Sequence, residues 1–197
     1  MATNLYFVRH AHSVYTPEEL KRPLSEQGWK DAARVRELLK REHIHHVISS
    51  PYLRAIQTVE GIASECGQKI QLVDEFKERK LAEGVMQDFN HAIPTVWENP
   101  IFHWEGGESN VTAQKRGVEA TKIILDKYEG ANVVIGTHGN IMVLIMNYFD
   151  GQYGFEFWKQ LAMPDIYKLS FDRDRLIGCS RIWEESHEME IRSVTKG

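Results

Sequence analysis

The sequence predicts an α/β protein, a three-layer α/β/α sandwich built around a mixed, mostly parallel sheet. Three observations lead there. Short runs rich in β-branched and aromatic residues, at 5–8, 47–48, 70–73 and 133–135, read as strands buried on both faces. Stretches of helical period separate them. After the last helix the chain turns to alternating segments, the signature of antiparallel strands. Strands and helices taken in turn along one chain place helices on both sides of a sheet.

Composition sets the bounds. With 197 residues, 42% hydrophobic and 26% charged, the chain suits one soluble globular domain over residues 1–197, long enough for a sizeable core. A net charge of -4 argues against a nucleic-acid binder, which shows a basic surface. Cys66 and Cys179 are isolated and read as reduced thiols of a cytoplasmic protein. The first strand is apolar for too few residues to open a signal peptide. The run 133–149 is broken by Gly136, His138, Gly139 and Asn140, so it reads as a strand and a buried helix, not a membrane span.

Leu5-Tyr6-Phe7-Val8 makes the first strand, which stops at Arg9-His10. Ser25 then suits a helix N-cap, and Leu24 with Trp29 has the spacing of a hydrophobic staple. Ala32, Val35, Leu38 and Leu39 give that helix its apolar stripe. His43-Ile44-His45-His46 is too tightly spaced for tetrahedral metal ligation and reads as a loop. Ser50-Pro51 predicts a second helix start, with Leu53, Ile56, Val59 and Ala63 facing inward. Residues 75–108 form an irregular excursion that caps the crevice, partly helical around 88–97. Ser109 begins a further helix, with Val118, Thr121, Leu125 and Tyr128 at helical spacing. Strand 132–135, helix 141–149 and antiparallel strands 166–171 and 176–183 follow, with a last alternating segment at 189–194.

Chemistry gathers at three strand-to-helix junctions. They carry Arg9-His10, Arg54 in the first turn after 47–53, and His138 after 133–137. In open α/β sheets, ligands bind outside the carboxyl ends of the strands. Two arginines with planar forks and two imidazoles there suit a phosphoryl group, whose transfer depends on positioning and charge stabilisation. Helix-start amides after His138, beginning at Gly139, add dipoles of the right sign. A neutral imidazole is a competent nucleophile near pH 7.

Arg9-His10-Ala11, Ser49-Ser50-Pro51-Tyr52-Leu53-Arg54-Ala55-Ile56-Gln57-Thr58 and Gly136-Thr137-His138-Gly139 resemble, in order and spacing, the motifs of the histidine phosphatase superfamily, the phosphoglycerate mutase-like proteins. Leu24-Ser25-Glu26-Gln27-Gly28 and Gly107-Glu108-Ser109 also resemble its blocks, so the likeness spans most of the chain. Ala11 and Ala82 stand where the family has glycine. The resemblance implies a phosphoglycerate mutase-like fold and a metal-independent, cofactor-free phosphomonoesterase acting through a phosphohistidine on a small phosphorylated metabolite. It makes His10 the nucleophile and His138 its partner. It assigns phosphate contacts to Arg9, Arg54 and Gly139, with Thr16 where the family often has Asn. The leaving oxygen's acid falls at Glu78, in Phe76-Lys77-Glu78, with Glu75 and Glu83 as alternatives. His12 takes the place of the family's acidic residue or Gln and receives no role.

Cofactor-dependent mutase chemistry is the nearest alternative reading. Mutases of the family generally carry a longer insertion after the acid, and the stretch between Arg79 and Glu108 is short. A non-catalytic phospholigand-binding module is another alternative. A metal hydrolase is a third, because His10-Ala11-His12 resembles the opening of amidohydrolase sites, although those barrels run to about 250 residues and need ligands at later strand ends.

Overall fold

Each strand forms where the apolar runs fall. The computed structural model describes residues 1–84 and 89–184. Its strands are β1 (Thr3–Arg9), β2 (His46–Ser49), β3 (Ile70–Leu72), β4 (Asn132–Thr137), β5 (Asp165–Asp172) and β6 (Arg175–Arg181). They form one sheet of order β3-β2-β4-β1-β5-β6. The first four run parallel, while β5 and β6 pair antiparallel at one side. Helices α1 (Glu26–Leu39), α2 (Leu53–Glu65), α3 (Phe89–Glu98), α4 (Asn110–Lys127), α5 (Gly139–Phe149) and α6 (Phe155–Lys159) complete it.

The period-2 alternation of a strand divides the core into two layers. Leu5 and Phe7 of β1 join Val133, Ile135 and the apolar faces of α4 and α5 on one side. Tyr6 and Val8 join Val47, Val134 and the inner faces of α1 and α2 on the other. All four β1 residues are fully buried, which is why their run lacks polar interruptions. Among the described residues no helix is long and apolar enough to cross a membrane.

Local signals decide most helix ends. Ser25 Oγ accepts from Gly28 N (3.0 Å) and Ser109 Oγ from Thr112 N (3.1 Å), each satisfying an otherwise unpaired amide. Three expectations need correction. The staple does not close, because Leu24 is buried while Trp29 is exposed. The second helix begins at Leu53, with Tyr52 rather than Ser50 as its N-cap. Its buried face is Arg54, Ala55, Thr58, Val59, Ile62 and Ala63, so Leu53 and Ile56 lie at its margin. Ser50 Oγ lies 2.8 Å from His138 Nε2, ahead of the helix, and Arg54 falls on the helix face that is buried. Of the capping excursion, residues 85–88 lie outside the described residues, as does the alternating segment 189–194. The described part contains α3.

Candidate active site

The sheet order places the ends of β2, β4 and β1 side by side. His10 N donates to Thr137 O (3.0 Å) and Ser50 N to Gly136 O (2.8 Å), so the residues leaving these strands meet in one crevice. There His10 and His138 lie edge to face, with ring centroids 5.2 Å apart.

The tautomer of His10 follows from its neighbours. Its Nδ1 lies 2.8 Å from Ala11 O, and a carbonyl only accepts, so Nδ1 carries the proton. Nε2 then presents a lone pair, which accepts from Arg54 Nε (3.1 Å). Burial, reinforced by Arg54, Arg9 and Arg22, pushes the imidazole down to about 3. It is neutral at physiological pH, with its nucleophilic lone pair on Nε2, where Arg54 Nε now donates.

Around it stand cations held in unlike ways. Arg9 Nη1 donates to Leu161 O (3.1 Å) and Ala162 O (3.0 Å), while its buried Nε has no partner. Gly139 makes this position possible, since a Cβ there would stand 3.1 Å from Arg9 Nε. Arg54, with a side chain only 4% exposed, donates from Nη1 to Glu19 O (3.1 Å) and from Nη2 to Glu19 Oε1 (2.7 Å). Tyr52 lies under its guanidinium, 4.8 Å from Cζ to the ring centroid. The other oxygen of Glu19 pairs with Arg22 (2.5 Å).

His138 is fully buried, and its Nε2 meets Ser50 Oγ at 2.8 Å. Tyr52 N donates to the same oxygen (3.3 Å), leaving the serine proton free to go to the imidazole. Nδ1 of His138 has no protein partner. Burial, with His10 and the arginines close by, holds this imidazole well below its ordinary value. Glu78 sits at the start of α5, its carboxylate accepting from Asn140 N (3.0 Å), Ile141 N (3.1 Å) and its neighbour Arg79 N (2.8 Å). A carboxylate at a helix N-terminus meets the dipole with the favourable sign. Arg79 is buried beside it, and none of its guanidinium nitrogens has a hydrogen-bond partner among the described residues.

The structure thus brings His10, His138, Arg9, Arg54, Gly139 and Glu78 together. The Thr16 hydroxyl donates to Glu18 O (3.1 Å), beside Glu19 in the loop after β1. Glu75 and Glu83 are both exposed. Ala11 fits where it stands, buried against Leu24 and Ala32, with its amide donating to Thr58 Oγ1 (3.0 Å). Sequence reasoning missed Ser50, Tyr52, Glu19 and Arg22. Ser50 carried a signal that was read as a helix cap. Glu19 and Arg22 carried none, since both sit in a polar loop resembling any solvated surface. Among the described residues no group of three or more His, Cys, Asp or Glu is arranged to hold a metal ion.

Comparisons with known proteins agree on kinship. The family model of the histidine phosphatase superfamily (branch 1) matches residues 5–177. Phosphoglycerate mutase-like protein 4 of Arabidopsis thaliana is 31% identical over 151 residues, covering 68% of this chain and 66% of that protein. The chain therefore spans just under two thirds of that relative's length. Bacillus stearothermophilus YhfR superposes with a TM-score of 0.77 at 22% identity, over 94% of this chain and 98% of that one. A mycobacterial glucosyl-3-phosphoglycerate phosphatase gives 0.74 at 19%, over 92% and 97%. The phosphoserine phosphatase of Entamoeba histolytica, solved with 3-phosphoglyceric acid, gives 0.73 at 18%, over 94% and 98%. At these identities the structures speak for the fold, and the family match covers most of the sequence: the chain belongs to the histidine phosphatase superfamily.

Proposed function

We propose that this protein is a metal-independent phosphomonoester hydrolase working through a phosphohistidine on His10. The observation that carries the reading is the neutral His10 whose Nε2 lone pair faces Arg54 Nε (3.1 Å), beside a buried His138 Nδ1 without a protein partner. A phosphoryl group entering there would receive Arg54, Arg9 and His138 on its oxygens and His10 on phosphorus. The N–P bond forms as the P–O bond to the leaving group breaks. The departing alkoxide takes its proton from the carboxyl group of Glu78. The carboxylate then takes one from the water that attacks the phosphohistidine, returning His10 and releasing inorganic phosphate. Charge stabilisation by fixed donors is the principal demand of such a transfer, and Arg9, Arg54 and His138 are positioned to meet it.

Solved relatives described as acting on phosphoserine or glucosyl-3-phosphoglycerate support small phosphorylated acids as the first substrates to try. The test is hydrolysis of a phosphomonoester panel in excess EDTA. Turnover that survives chelation, with an acid-labile phosphoryl adduct absent from His10→Ala, is the expected result. Loss of activity with EDTA and its return with zinc or manganese would replace this reading by the metal-hydrolase one. The name of the Arabidopsis relative favours a second reading, phosphoglycerate mutase-type transfer.

A further inference from the structure

One carboxylate already occupies the anion-binding side of the crevice. Glu19 sets one oxygen on Arg54 Nη2 (2.7 Å) and the other on Arg22 Nη2 (2.5 Å), bridging two arginines as a phosphate's oxygens would. Three of the five N–H donors of Arg54 are thereby engaged, since its Nε and Nη1 go to His10 Nε2 and Glu19 O. The N–H groups that Glu19 holds are withheld from any phosphoryl group that would be gripped bidentately. The Nη2 donor bonded to Glu19 is released when that side chain leaves.

Departure is easy for this residue. The Glu19 side chain is 46% exposed while that of Arg54 is 4% exposed, so the departing carboxylate is resolvated by water while the buried Arg54 charge needs an incoming anion to replace it. Its short 3-10 turn, Glu19–Lys21, lies in the polar loop between β1 and α1. The backbone carbonyl of Glu19 can keep its bond to Arg54 Nη1 while the side chain moves.

We propose that Glu19 is an internal competitor for the phosphate site, a specificity-determining residue that keeps weak monoanions off Arg54 and yields to a phosphoryl dianion. Every ligand meets the same displacement cost. A dianion that also engages Arg9 and His138 recovers it, and a chloride does not. The inference rests on the reading above, in which phosphate oxygens reach Arg54.

The test is titration of inorganic phosphate into the wild type and Glu19→Gln by calorimetry, followed by steady-state kinetics. Glutamine keeps the size and removes the charge. Phosphate should bind the variant about tenfold tighter, equivalent to about 1.4 kcal/mol, and KM should fall in parallel. Replacing gluconate by chloride at equal ionic strength should raise KM for the variant and leave the wild type unmoved. A support role for Glu19, holding Arg54 in place, predicts the opposite sign, so weaker or unchanged phosphate binding in Glu19→Gln overturns the proposal. A variant indifferent to chloride overturns it as well. If neither protein binds phosphate, the phosphatase reading itself fails and this inference with it.

Discussion

His10 is poised by burial rather than by a carboxylate partner. Because desolvation pushes it down to about 3 and holds His138 well below its ordinary value, the folded protein resists protonation at both rings. An unfolded histidine titrates near 6.5. The unfolded state therefore binds more protons as pH falls through that value, and stability must decline. Each histidine contributes a slope of about 1.4 kcal/mol per pH unit once its unfolded form is protonated. Urea midpoints measured from pH 7 down to pH 4 should fall for the wild type and fall less steeply for His10→Gln. A parallel decline in both would remove His10 as the source.

Glu78 makes a second residue-scale prediction. If it donates a proton to the leaving oxygen, its worth depends on how basic that oxygen is. General acid catalysis contributes about 10² to 10⁴-fold, and little when the leaving group departs as a stable anion. Glu78→Gln should cripple hydrolysis of alkyl phosphates while largely sparing p-nitrophenyl phosphate, read as kcat/KM on both. Equal losses would make Glu78 a binding residue, in keeping with its three backbone N–H contacts. No loss on either would return the role to Glu75 or Glu83.

At the scale of elements, the site depends on where helices start. Gly28 lies in the first turn of α1, where alanine ordinarily stabilises a helix by about 1 kcal/mol over glycine. Here a Cβ would stand 2.1 Å from His12 O, a backbone atom that also accepts from Ser25 N (2.9 Å) and cannot easily move. Gly28→Ala should therefore destabilise the protein by about 1–3 kcal/mol, the usual cost of overpacking, against the propensity rule. Thermal unfolding checks the sign. The loop carrying Glu19 and Arg22 is anchored at this same turn, so the substitution should also alter phosphate binding.

At the scale of the whole molecule, the decisive feature is that β4 lies between β2 and β1. That order lets residues as distant along the chain as Arg9, Arg54 and His138 share one crevice. The stretch between Arg79 and Glu108 is short in sequence for a device that must retain an intermediate while it turns over, and a lid's task is to exclude water. Water should reach the phosphohistidine, so release of phosphate should outpace transfer between glycerate positions. Rapid interconversion of 3- and 2-phosphoglycerate with little phosphate released would favour the mutase reading.

The sequence by itself determined the layers of this protein and the junctions where its chemistry lies. Buried parallel strands must be continuously apolar, as Leu5-Tyr6-Phe7-Val8 is, and amphipathic helices must repeat every 3.6 residues, so both patterns are written in residue order. Arg9, His10, Arg54 and His138 were legible because each follows such a run directly. Tertiary structure alone decided what those residues touch. Ser50 has the chemistry of a cap and still accepts from Tyr52 N, yet the helix starts at Leu53 and the same oxygen meets His138, far along the chain. Thr16 stood at the right spacing but its loop folds it onto Glu18. Glu19 was invisible as a site residue because a carboxylate's partner is chosen by the approach of distant elements, and no local pattern records that Arg54 would lie buried beneath it.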